Sequence, residues 1–112
     1  MASSDLSNLP PDLAEKSLSK DEIMLGYEDA VRAVDHIALG GHRIEAWEGW
    51  VQMPEGARTH SLAHPGSFAL PMQAGPSAEA ARSSMAEAHA AWEHSPEYPN
   101  ASLYFSLTVA SE

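Results

Sequence analysis

The sequence predicts an α+β domain: a small antiparallel sheet of about three strands, formed by a hairpin and a C-terminal strand, with two helices packed on one face. Three observations carry this. Leu103, Phe105, Leu107 and Val109 alternate with Ser102, Tyr104, Ser106 and Thr108, which is the period of a half-buried strand. Two stretches, Tyr27-Ala30-Val31-Val34-Ile37-Ala38 and Ala81-Met85-Ala88-Trp92, each place apolar residues on one helical stripe. Between them, Trp47-Glu48-Gly49-Trp50 leads into Pro54-Glu55-Gly56, where proline presets φ and glycine accepts a positive φ, as a hairpin turn requires.

Residues 1–18 read as a flexible segment, Ser-rich and interrupted by Pro10-Pro11, with a short helical turn possible after the prolines. The single domain occupies 19–112. Ser19-Lys20-Asp21-Glu22 fits a capping box, in which Ser and Glu satisfy each other's backbone donors, so a helix is expected over about 20–39, weakened at Gly26 and ended by Gly40-Gly41. The first hairpin strand is expected over 43–52. Strict alternation sets Ile44, Ala46, Glu48 and Trp50 against Glu45, Trp47, Gly49 and Val51. Neither face is purely apolar, so one tryptophan should enter the core and the other stay partly exposed. Gly49 between them suggests a bulge or a close backbone approach. The second strand is expected over 57–62. Residues 63–76 hold three prolines and two glycines and read as a long irregular loop, a feature often tied to function. Phe68, Leu70 and Met72 would pin it down. An alanine-rich helix over about 78–92 follows, ending before Pro96.

The 112 residues suffice for one modest core. Sixteen acids against six Lys and Arg give a net charge of −10, which argues against nucleic acid as a ligand and suits a basic protein partner. The chain has no apolar run of membrane-spanning length and no secretory-type N-terminus, and it lacks cysteine. The expectation is therefore a cytoplasmic protein without disulfides or thiol chemistry.

The chemical motifs are sparse. His60/His64, His89/His94 and His36/His42 lack the clustered spacing of a metal site, so no metal and no cofactor is expected. Glu45 and Glu48 alternate onto opposite faces and make a poor acid/base pair, because paired catalytic carboxylates must share one cleft. No phosphate-binding glycine loop or nucleophile elbow is present. A non-enzymatic binding protein follows. Its expected contact surface is Glu45, Trp47, Glu48, Trp50, Glu55, His60, His64 and Phe68, where acids would meet a basic partner and aromatics would anchor it. The alternatives are a small enzyme or ligand-binding domain using His60, His64 and a glutamate under the 63–76 loop, and a homodimeric structural module.

Tyr27-Glu28-Asp29-Ala30, Trp47-Glu48-Gly49-Trp50, the Pro54–Gly56 turn, Thr59-His60-Ser61 and the segment from Trp92 to Phe105 together resemble the immunity proteins of bacterial polymorphic-toxin and contact-dependent inhibition systems. The resemblance spans about residues 20–110 and transfers no catalytic residues. It implies a cytoplasmic protein that neutralises a cognate toxin domain by tight binding.

Overall fold

The computed structural model describes residues 2–3, 6–64, 66–68 and 70–110. In chain order they form β1 (Ala2–Ser3), a 3-10 turn (Leu6–Asn8), α1 (Pro11–Ala14), β2 (Met24–Leu25), α2 (Tyr27–Leu39), β3 (Ile44–Gln52), β4 (Arg58–His60), β5 (Ser67–Phe68), α3 (Ala74–His94) and β6 (Ser102–Ala110). All strand pairs are antiparallel, and the sheet runs β1-β6-β3-β4, with β2 also beside β6 and β5 also beside β3. Two long strands, β3 and β6, form its centre, and the other four are short additions to their outer edges. The α+β class is as expected; the second hairpin strand is shortened to Arg58–His60, and the strands beyond the expected three, β1, β2 and β5, are each two residues long.

Both long helices cover one face of this sheet. Ala30, Ala33, Val34 and Ile37 of α2 and Ala78, Ala81, Met85, Ala88 and Trp92 of α3 share one core with Ile44, Trp47 and Val51 of β3 and with Leu103, Phe105, Leu107 and Val109 of β6. The apolar stripe of each helix thus meets the apolar face of each strand, which is the burial that drives the two-layer arrangement. Arg82 Nη1 and Asp35 Oδ1, 2.7 Å apart, link the helices at the surface. The α2 stripe ends at the expected glycine cap: Gly41 has φ +81 and its N–H donates to the Ala38 carbonyl, while His42 N–H donates to Ile37.

Three expectations about the chain need correction. The capping box does not start a helix. Ser19 Oγ does accept from the Asp21 and Glu22 N–H groups, but the chain then extends into β2, which pairs with β6 and carries fully buried Leu25 beside fully buried Ile23. The same local bonds serve a turn or a cap, and burial of Ile23 and Leu25 decides between them. Part of the 1–18 segment is packed down: Leu9 and Leu13 are buried and Leu6 lies against the core. Met1, Ser4 and Asp5 of that segment are outside the described residues. The 63–76 loop is partly ordered by pairing, since Ser67 and Phe68 lie opposite Trp47 and Ala46, and α3 opens at Ala74, ahead of the expected start. Pro76 falls in its first turn, where a missing N–H costs nothing. The hydroxyl of buried Ser77 donates to the Ala74 carbonyl and accepts from Ile44 N–H, fastening α3 to β3. Pro65 and Ala69 of the loop are also outside the described residues.

Candidate functional site on the open sheet face

The two tryptophans separate because β3 carries a bulge. Ile44 pairs with Val109 and Ala46 with Thr108, so Glu45 is the extra residue between two consecutive partners on β6. Counting past it, Ile44, Trp47, Gly49 and Val51 share the core face, opposite Val109, Leu107, Phe105 and Leu103. Ala46, Glu48, Trp50 and Gln52 share the other face with Thr108, Ser106, Tyr104 and Ser102. The bulge sits at Glu45 rather than at Gly49. Gly49 is instead a close approach: a Cβ there would collide with the His64 carbonyl oxygen.

Trp47 is therefore a core residue, 3% exposed. Its ring meets Phe105 edge-on at 5.2 Å, and its Nε1 donates to Ser84 Oγ at 2.7 Å. It belongs to the fold and is unavailable to a partner.

Trp50 stands on the face that the helices leave open. Its partner across the hairpin is His60, and their ring centroids are 3.9 Å apart. The closeness follows from the ladder. Ser61 N–H donates to the Gly49 carbonyl and Met53 N–H to the Ala57 carbonyl, so hydrogen-bonded pairs alternate through Val51–Thr59, and Trp50–His60 is a non-hydrogen-bonded pair. Such pairs bring their side chains closest. His60 Nδ1 also lies 3.7 Å from Glu48 Oε2. Tyr104 is opposite Trp50 on β6, and Arg58 is opposite Gln52 on β4. Arg58 Nη1 reaches back to Met24 Sδ at 3.9 Å, so its side chain leans across the open face toward β2. Two side-chain atoms under this cover, Trp50 Nε1 and Gln52 Oε1, are buried without a hydrogen-bond partner in the chain. An unpaired buried group of this kind costs about 1–3 kcal/mol.

The remaining expected contact residues do not converge on this cluster. Glu45, on the bulge, is 3.5 Å from Arg43. Glu55 is exposed at the hairpin turn, whose Gly56 adopts φ +101. Phe68 pairs with Ala46 through its backbone, and its side chain is outside the described part of the structure. His64 is on the opposite, helix-covered side, its ring 6.3 Å from that of Trp92. It lines a pocket of about 310 Å³ with Trp47, Ser67, Ser84 and Glu87. A pocket therefore does lie under the loop, with one histidine and one carboxylate, but His60 faces away from it. Among the described residues, no three His, Asp or Glu side chains are grouped as a metal site would need, and no helix is long and apolar enough to cross a membrane.

One residue of the region escaped the sequence altogether. The Glu97 carboxylate accepts from Ser61 Oγ at 2.8 Å, Leu62 N–H at 3.1 Å and Ala63 N–H at 3.2 Å. Burial pushes its pKa up, but these three donors and the nearby His64 outweigh that and leave it below the usual carboxylate value. Ser61 Oγ in turn accepts from His64 N–H. Glu97 thus clamps the chain where it leaves β4. It lies between Pro96 and Pro99 in an irregular stretch, where no periodicity points to a partner.

The charge is unevenly used. Lys16, Arg32, Arg43 and Arg82 are held in ion pairs with Asp29, Asp12, Glu45 and Asp35, leaving Glu48 and Glu55 near the open face without Lys or Arg partners among the described ion pairs. No protein-family model, curated protein or solved structure matches this chain.

Proposed function

We propose that this chain is a non-enzymatic binding protein whose contact surface is the open face of its sheet, and that its most concrete role is that of an immunity protein covering a basic toxin domain in the bacterial cytoplasm. The observation that carries the reading is the Glu48–His60–Trp50 cluster on a face with no helix above it. An aromatic ring beside carboxylates suits Lys or Arg of a partner. Glu48, Trp50 and His60 lie outside the core cluster, so recognition there need not disturb the packing of the helices.

The test is co-expression with the protein encoded beside this chain, followed by affinity measurement on wild type and on a Glu48→Ala/Trp50→Ala double variant. A stable complex is expected, with about a hundredfold weaker binding by the variant, in keeping with loss of an aromatic anchor and a charge. A variant that binds as tightly as wild type while folded removes this face from the reading. Absence of any complex removes the immunity role.

A further inference from the structure

β4 is the last strand on its side of the sheet, and its three residues are all exposed. The ladder fixes what its edge presents. With Gly49–Ser61 and Met53–Ala57 hydrogen-bonded, Thr59 turns its main-chain groups toward β3, and Arg58 and His60 turn theirs outward. Leu62 N–H would continue the same outward row, but Glu97 occupies it. The edge therefore offers two main-chain N–H and C=O pairs spaced as in a sheet and closed at one end by a carboxylate. Open edges of this kind are templates for another strand.

We propose that β4 is a docking edge, to which an extended basic segment of a partner protein adds as a further strand through Arg58 and His60. This rests on the open face being the contact surface and adds the mode of capture. The added strand would lie about 5 Å from β4 and about 10 Å from β3, so its alternate side chains would project onto the open face beside His60, from where a long lysine side chain can extend toward Glu48. Charge favours a basic segment. The chain carries −10 overall, Glu55 is exposed at the hairpin turn, and the two bases of β4 point away from the edge, Arg58 toward Met24 and His60 toward Glu48. A second copy of this chain is a poor occupant. It would bring the same negative charge and only three edge residues, far below the roughly 800 Å² per partner of a stable interface.

The probe is a fluorescent peptide of alternating Lys and Thr, about eight residues long, compared with the same peptide N-methylated at alternate amides, which keeps the charge and loses strand pairing. Anisotropy reports binding, and hydrogen exchange reports the Arg58 and His60 amides. The unmodified peptide should bind, slow exchange at those two amides about tenfold or more, and bind at least about tenfold more tightly than the methylated one. His60→Pro removes an outward N–H that an edge strand can spare and should reduce binding to the level of the methylated peptide. His60→Ala, which retains the N–H, should lose less. Equal binding of both peptides overturns strand addition and leaves the charged-face reading standing. Binding by neither overturns both. Protection of the same amides in a self-associated protein without peptide overturns the basic-segment occupant in favour of a second copy.

Discussion

Removing the Glu97 carboxylate gives a sharp test of the β4 exit, because its energetics can be worked from the hydrogen bonds. Of its three donors, only Ser61 is buried, at 2% exposed, while Leu62 and Ala63 are exposed and can turn their amides to water. A buried hydroxyl left without its acceptor costs about 1–3 kcal/mol, and each exposed bond adds about 0.5 kcal/mol. Glu97 is itself only half-buried, so solvent screening discounts the charge-assisted part. Glu97→Ala should therefore lose about 2 kcal/mol near pH 7. Glu97→Gln, which keeps one acceptor for Ser61 but sets an amide group against Leu62 N–H, should lose about 1 kcal/mol. The pH dependence has a definite sign. Because the folded-state pKa is below the ordinary 4.5, the stabilisation is fully present above that value and disappears as pH falls through the folded-state pKa. Urea unfolding followed by tryptophan fluorescence, at about pH 7 and about pH 3, measures the gap between wild type and Glu97→Gln. The gap should be open at neutral pH and narrower in acid. A gap of equal size at both pH values would refute the assignment to an ionised carboxylate, and no gap at neutral pH would refute the clamp.

The other expectations concern β3. Gly49→Ala drives a methyl into the His64 carbonyl and should cost about 1–3 kcal/mol; an unchanged urea midpoint would show that the 61–68 segment yields freely. Trp47→Ala should cost about 3–5 kcal/mol, while Trp50→Ala should cost less than half as much, because only Trp47 fills the core. Equal losses in thermal melts would contradict the assignment of faces. Deleting Glu45 removes the bulge residue but leaves Ile44 opposite Val109, so the sheet should keep its register with a loss of about 1 kcal/mol or less; cross-strand nuclear Overhauser contacts between residues 44 and 109 would check it.

The legible parts of this fold are those where one element buries one face. β6 follows its alternation from Ser102 to Ala110, with Leu103, Phe105, Leu107 and Val109 all in the core. Ala81, Met85, Ala88 and Trp92 of α3 are buried as their stripe demands. Where a second element had to be known, local pattern failed. The Ser19-to-Glu22 bonds form as expected, yet the segment leads to a strand because Ile23 and Leu25 are needed beneath β6. Parity along β3 was blurred by a residue that does not count in the ladder, and nothing in Arg43-Ile44-Glu45-Ala46 marks Glu45 as that residue. The site was half legible for the same reason. Glu48, Trp50 and His60 could each be singled out, but only the hairpin register brings His60 onto Trp50.

The bulge also decides what recognition can cost the fold. Without a one-residue offset, Ile44 and Trp47 could not both face the helices, and a single face would have to hold Ile44 and Trp50 together. With it, all four apolar or small core-facing positions of β3 lie on one side, and Glu48, Trp50 and Gln52 are collected on the other. Substitutions on the open face then touch neither α2 nor α3, and their stability effects should add to those of core changes with little coupling, as for sites that share no partner. Gly49 is the exception, because its carbonyl accepts from Ser61 N–H and a Cβ there would meet the His64 carbonyl, so the covered face of β3 is close to the chain that leaves β4. His64 N–H donates to Ser61 Oγ, and Ser61 donates to Glu97 at the end of the β4 edge, so a displaced His64 would disturb that end. A Gly49→Ala chain that remains folded should therefore bind the basic peptide more weakly than wild type, although Gly49 faces the core and touches no part of the open face.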